Sequence, residues 1–269
     1  MSKYRMLAVD LDDTLLNDRF KISPLNKDYI QRAREVGVHV TLATGRMFRS
    51  ALPYARELGI NLPLITYQGA LVKEAGSGEV LLHRPVPLEV AREAVAWVSS
   101  LGYHVNVYLN DKLYVEKLTP EAETYQKISG IPAHPVGDLL ALLDQGEAPT
   151  KVLVVGQEGP LDELAEQMCR HFGRALHICK SKPHFLELSH PEATKGHALD
   201  TLASRWGVTR EQVIAIGDSY NDLEMIEYAG LGVVMGNARP DIQAKADYVT
   251  KSNEEDGVAE VIDRFILKG

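Results

Sequence analysis

The chain is 269 residues long, 45% hydrophobic and 25% charged, with a formal net charge of -8, which is the makeup of a globular protein of one large or two moderate domains with a sizeable core. The acidic balance speaks against a sequence-independent grip on nucleic acid or on an anionic membrane surface, so any anion site has to be locally basic. Cys169 and Cys179 fit neither a disulfide framework nor a zinc knuckle, and no apolar leader or membrane-length apolar run is present, which sets the expectation of a cytoplasmic protein that binds neither nucleic acid nor membrane.

Met6-Leu7-Ala8-Val9 reads as a buried parallel strand that runs straight into Asp10, Asp12 and Asp13. Carboxylates held this close repel, so folding must supply a proton, a basic side chain or a cation, and a hard divalent ion with oxygen ligands is the simplest answer. Ser23-Pro24 looks like an N-cap followed by proline in the first helical turn, opening a helix that ends at Gly37. Residues 38–43 form a second apolar strand ending in Thr44-Gly45-Arg46. A helix over 47–58 closes at Gly59, and a third strand over 62–67 ends at Gln68-Gly69. Strand, helix, strand, helix, strand predicts a parallel sheet covered on both faces. Residues 71–73 and 79–82 then read as a hairpin.

The texture changes at His83-Arg84-Pro85-Val86-Pro87, where two prolines mark a hinge. Beyond it the patterns predict a helix over 88–100 and alternating strands over 103–109 and 112–116, joined across Asn110-Asp111. Helices are expected near 120–128, 138–143 and 161–171, with strands at 151–155, 174–179 and 184–188. Alternation of this kind belongs to an antiparallel sheet in a separate α+β unit. Trp97, Tyr103, Val105, Val107 and Tyr108 read as its packing residues, and His104, His177, His184 and His190 as ordinary surface or strand residues. At His190-Pro191 the chain crosses back. A helix to about Trp206 precedes an apolar strand at 213–216 that ends in Gly217-Asp218-Ser219-Tyr220-Asn221-Asp222. A helix at 223–229, a strand at 231–235 ending at Gly236-Asn237, a short helix from Pro240, Tyr248-Val249 and a last helix over 257–267 complete the layer. The expected division is a discontinuous core of residues 1–82 plus 191–269, interrupted by an inserted domain of residues 83–190.

Ligands of an open parallel sheet bind beyond the carboxyl ends of its strands. Four polar clusters fall there: Asp10 with Asp12, Thr44-Gly45-Arg46, Lys195 at a helix start, and Asp218 with Asn221 and Asp222. Their residue types suit a cation site beside a phosphate cradle. Carboxylates can hold Mg2+, while Thr44, backbone N–H groups and Lys195 can take phosphate oxygens. A lysine at a helix N-terminus opposes the helix dipole unless an anion is near, so Lys195 is expected to face one.

D-x-D-x-T as Asp10 to Thr14, T-G-R as Thr44-Gly45-Arg46, the isolated Lys195, and G-D-S-x-N-D as Gly217 to Asp222 resemble the four ordered motifs of the haloacid-dehalogenase superfamily. The insertion between the second and third motifs resembles the large α/β cap of its Cof-type phosphatases. The resemblance implies an α/β fold with a Rossmann-like parallel sheet core and an inserted α+β cap. It also implies hydrolysis of phosphomonoesters of small metabolites, of the sugar phosphate, pyridoxal phosphate or flavin mononucleotide class, by a monomer or homodimer. Asp10 would be the nucleophile that forms an aspartyl phosphate, and Asp12 the general acid and base. Mg2+ would be held by Asp10, the Asp12 carbonyl and Asp218, with Asp222 as an outer support. Thr44, Gly45, Arg46, Lys195 and Asn221 would bind phosphate or substrate, although Arg46 can equally pair with a local carboxylate and Asn221 can orient the loop or Lys195. Gln68 stands where the resemblance predicts an asparagine, which touches only a supporting or substrate contact. Asp12 disfavours a dehalogenase. A phosphomutase, which must keep its phosphoryl group from water, and a non-catalytic binder of a phosphorylated ligand are the alternatives.

Overall fold

The computed structural model describes residues 3–269. It divides into two compact units, the residues up to Leu82 with Thr194–Gly269, and His83–Ala193. In chain order the elements of the first stretch are β1 (Met6–Val9), α1 (Pro24–Glu35), β2 (His39–Leu42), α2 (Phe48–Glu57), β3 (Pro63–Thr66), β4 (Leu71–Glu74) and β5 (Val80–His83). The insert supplies α3 (Leu88–Ser100), β6 (His104–Leu109), β7 (Lys112–Val115), α4 (Pro120–Ser129), β8 (Ala133–Pro135), α5 (Leu139–Leu143), β9 (Lys151–Val155), α6 (Glu158–Phe172), β10 (His177–Lys182) and β11 (Phe185–Ser189). The returning chain adds α7 (Lys195–Arg205), β12 (Val213–Gly217), α8 (Leu223–Tyr228), β13 (Leu231–Val234), α9 (Pro240–Gln243), β14 (Tyr248–Val249) and α10 (Gly257–Val261).

The first unit is built on a parallel five-stranded sheet in the order β14-β13-β12-β1-β2. All four side chains of β1 are fully buried, as are Val213 to Ile216 of β12 beside them. Each large apolar side chain hidden this way contributes about 1.5–3 kcal/mol relative to an exposed one. Continuous apolar strands therefore take the middle of the sheet, and their polar carboxyl ends share one edge. Ser23 accepts from Asn26 N at 3.0 Å and Pro24 starts α1, as their spacing predicted.

The third strand departs from expectation. A single parallel bridge, Ala43 to Ile65, ties β3 to the end of β2, while its full ladder is antiparallel with β4 in a separate sheet β3-β4-β5. The reason is local. After Leu42 the chain leaves the sheet for Thr44-Gly45-Arg46, so β3 has little strand to pair with, and the turn Tyr67–Gly69 folds it back onto β4.

The second unit has a six-stranded sheet in the order β10-β11-β9-β6-β7-β8, antiparallel except for β7 with β8. Asn110 and Asp111 have φ of +49° and +57°, the left-handed pair that a two-residue hairpin needs. Val105, Val107, Val152 and Val154 face a core shared with α3, α5 and α6, with Trp97 and Tyr103 packed at its margin. Alternate residues carry a buried Lys151–Glu187 ion pair at 3.2 Å, with the Lys151 ammonium 5.1 Å from the Tyr108 ring centroid. Sequence periodicity misses β8, which is three residues long, ends in proline and sits at a sheet edge, where proline is tolerated. It also sets β10 too early, because Gly173–Ala175 continues the turn of α6 before the strand begins.

Candidate active site

The position of Asp10, the nucleophile expected from the sequence, follows from β1. Asp10 is the first residue past the strand, its N–H donating to the Ile216 carbonyl at 3.0 Å, and the residue is 5% exposed. The chain then makes a tight loop, Leu11–Leu15, with Asp13 at φ +59° and the Leu16 N–H closing onto the Leu11 carbonyl at 2.8 Å. Thr14 Oγ1 donates to Asp218 Oδ1 at 2.9 Å, which joins this loop to the end of β12. Thr194 caps α7 by accepting from His197 N, so the side chain of Lys195 leaves from the first turn of that helix.

Lys195 is fully buried, and its Nζ donates to Asp10 Oδ1 and to Asp222 Oδ1, each at 2.6 Å. The second oxygen of Asp222 accepts from the backbone N–H groups of Asp218 and Ser219, both at 3.1 Å. Asp222 thus has both oxygens engaged and serves chiefly to hold Lys195 and the turn after β12. Asp10, Asp218 and Asp222 each present a carboxylate oxygen within 4.8 Å of the others.

These acids face one ammonium, and the imbalance appears in their protonation. Burial first, then the like charges of Asp222, Asp218 and Asp12, raise the Asp10 carboxyl well above the ordinary carboxylate value despite the opposing pull of Lys195. Asp218 is pushed up to about 7 by burial and by Asp222, against the hydrogen bond from Thr14. For Lys195 burial alone would favour the neutral amine, but Asp10 and Asp222 outweigh it and hold the ammonium charged. Three crowded carboxylates against one cation leave an excess of negative charge, and a donor set of carboxylate oxygens suits a hard dication such as Mg2+.

The other predicted residues separate into two groups. Thr44 is fully buried, and its Oγ1 accepts from Arg46 N at 3.1 Å, a role that leaves its O–H to donate. Arg46 makes a two-pronged ion pair with Asp12, Nε to Oδ2 at 2.8 Å and Nη2 to Oδ1 at 2.5 Å, and its guanidinium lies 5.2 Å from the Tyr54 ring centroid. Of the two roles open to Arg46, the structure shows the pairing with a local carboxylate. Asn221 donates from Nδ2 to Gln68 Oε1 at 2.9 Å rather than to Lys195.

Chain similarity agrees with this geometry. Residues 7–262 match the haloacid dehalogenase-like hydrolase family. The chain belongs to that family. It is 30% identical over 290 residues to the phosphatase YwpJ of Bacillus subtilis, covering 97% of this chain and 100% of that one. It is also 30% identical over 276 residues to the 5-amino-6-(5-phospho-D-ribitylamino)uracil phosphatase YitU of the same organism, covering 98% of each. A crystal structure of a haloacid dehalogenase-like hydrolase from Bacteroides thetaiotaomicron superposes with a TM-score of 0.89 at 34% identity, over 97% of this chain and 99% of that one. This haloacid dehalogenase-like hydrolase is a phosphoric monoester hydrolase, with the α/β core and inserted cap domain of its relatives. Among the described residues no helix is long and apolar enough to cross a membrane.

Sequence reasoning gave the family motif's Thr14 no role and left Asn237 as a strand terminus. Asn237 Nδ2 donates to the Asp13 carbonyl at 2.8 Å and its Oδ1 accepts from Asn253 N at 3.0 Å, so the turn after β13 steadies the acidic loop. The signal was available, since Gly236-Asn237 follows an apolar strand just as Asp10 and Asp218 do.

Proposed function

We propose that this phosphatase is a Mg2+-dependent hydrolase of small phosphorylated metabolites that works through a phosphoryl group carried on Asp10. The observation that carries the reading is Lys195 Nζ at 2.6 Å from both Asp10 and Asp222, with an Asp218 oxygen in the same cluster. A nucleophilic carboxylate, a fixed cation and an oxygen-rich pocket then meet at the end of β1.

Asp10 and Asp218, with the Asp12 carbonyl, would hold the ion. Bound Mg2+ supplies positive charge to the phosphoryl oxygens and keeps the carboxylates ionised. The remaining work belongs to side chains. Lys195 holds Asp10 in a single rotamer and offers charge to the phosphoryl group, and Thr44 O–H and the N–H groups of its loop take the other oxygens. An Asp10 oxygen forms the new bond to phosphorus as the ester oxygen departs, taking a proton from Asp12. Water, giving its proton back to Asp12, then attacks phosphorus and frees Asp10 with inorganic phosphate. Asp12 can do this only when Arg46 yields one of the two oxygens it now grips.

YitU acts on a phosphorylated ribityl compound, by its name, which supports a sugar phosphate or related polyol phosphate as substrate class for this chain. Location in the cytoplasm is part of the same reading. The test is phosphate release from a panel of monoesters, including hexose, pentose and ribityl phosphates, pyridoxal phosphate and flavin mononucleotide, with Mg2+ and with chelator. Turnover that needs the metal is expected. Isomerised hexose phosphate without free phosphate would establish the phosphomutase alternative instead.

A pH effect on stability follows. Asp218 has a raised carboxyl value in the fold, so its favourable contribution is complete below the ordinary 3.8 and is lost as pH rises through about 7. A cation replaces the missing proton. The gain in melting temperature on adding Mg2+ is therefore expected to be larger at about pH 8 than at about pH 5, and a hundredfold excess over Kd gives about 2.7 kcal/mol. A shift of equal size at both pH values would contradict a carboxylate site.

A further inference from the structure

Gln68 lies outside every role assigned above, yet it touches two parts of the active site, and Gly69 beside it approaches a third. Its N–H donates to the Thr44 carbonyl at 3.1 Å, and the N–H of Tyr67 beside it donates to the Arg46 carbonyl at 2.9 Å, so the turn after β3 is tied to the Thr44–Arg46 loop by main chain. The side chain of Gln68, 6% exposed, accepts from Asn221 Nδ2 at 2.9 Å. Asn221 Oδ1 is itself taken by Ser219 Oγ, which fixes the Asn221 amide and points the Gln68 Nε2 end toward Gly45. A Cβ on Gly45 would overlap that nitrogen, so glycine there makes room for the amide. One residue on, a Cβ on Gly69 would run into the Thr194 carbonyl, and Thr194 is the cap from which Lys195 departs.

The backbone is costly here. Tyr67 and Gln68 stand in succession at φ +52° and +58°, a left-handed region that side-chain-bearing residues seldom enter, before Gly69 at +99°. Such conformations persist where the surroundings impose them, and they cluster at functional sites. Relaxing this one would withdraw the amide from Asn221 and lift Gly69 from Thr194.

We propose that Gln68 is a positioning residue of the phosphatase reaction, whose amide and strained turn set the Thr44–Arg46 loop, Asn221 and the Lys195 helix start at fixed distances around the phosphoryl group. This rests on the function proposed above, in which those loops hold the phosphate. Chemistry stays with Asp10 and Asp12; Gln68 supplies geometry.

Two single variants, their double and three readouts test it. Asparagine tolerates left-handed backbone better than glutamine but is one methylene shorter. Gln68→Asn is therefore expected to melt no lower than the parent protein while losing roughly tenfold to a hundredfold in kcat/KM, as a misplacement of about 1 Å would produce. Its affinity for inorganic phosphate, measured by titration of the Mg2+-loaded protein, is expected to weaken at least about tenfold. Asn221→Ala should show a similar loss, and the double variant little more than either single one, because both remove one contact. A purely structural Gln68 would instead give losses that follow melting temperature, and its effect would add to that of Asn221→Ala. Parent-like phosphate affinity and kcat/KM in Gln68→Asn, or additive losses, overturn the proposal. If Asp10→Asn kept its turnover, the mechanism would fall, while the phosphate titration would still decide Gln68.

Discussion

Replacing Asp10 by asparagine is expected to cut phosphate release by on the order of 10^4-fold or more while leaving the protein folded, as loss of an attacking group does elsewhere. The amide keeps the size of the carboxylate and can still accept from Lys195 Nζ, so the 2.6 Å contact has a substitute. It cannot supply the anionic oxygen that the proposed mechanism requires for attack on phosphorus. Stability should hold or rise, because Asp10 is buried among like charges that raise its carboxyl value, and the variant removes one of them. Phosphate release measured beside a melting curve separates the two effects. Turnover at parental level in a folded Asp10→Asn protein would exclude the nucleophile assignment.

Replacing Lys195 by methionine is expected to damage both stability and activity. The stem is preserved, but the fully buried charge between Asp10 and Asp222 is gone, and two carboxylates are left facing each other. Removing one member of a buried ion pair costs about 3–5 kcal/mol, read as a lower denaturation midpoint at unchanged slope. Combining Lys195→Met with Asp10→Asn should recover part of the loss, since the second change removes a charge that the first left unpaired. A single Lys195→Met variant with the parent's denaturation midpoint would show that the ammonium does not carry this cluster.

The fold was legible where chemistry is local. Met6–Val9 and Val213–Gly217 are unbroken apolar runs that stop at an acidic residue, so their central place and the direction of their functional ends could be read from the chain. Lys195 was legible as a helix start carrying an unfavourable charge, which asks for an anion and finds two. What escaped depends on partners far apart in sequence. The antiparallel pairing of β3 turns on how soon β2 ends, a three-dimensional matter that period and propensity do not encode. The choice of Arg46 between substrate and Asp12 was open because both fit its spacing, and the two-pronged geometry decides it for the protein alone. Asn221 and Gln68 are 153 positions apart, and nothing near either announces the other.

The placement of β1 between β2 and β12 has a consequence for biosynthesis. A ribosome delivers Met6–Val9 and His39–Leu42 early, but the neighbour on the other side, Val213–Gly217, emerges only after the whole insert has been translated. Until then β1 keeps an unpaired apolar flank, the kind of edge that recruits foreign strands. Nascent chains halted before residue 213 should therefore depend on chaperone protection, and release should become safe only once the last fifth of the polypeptide has left the exit tunnel.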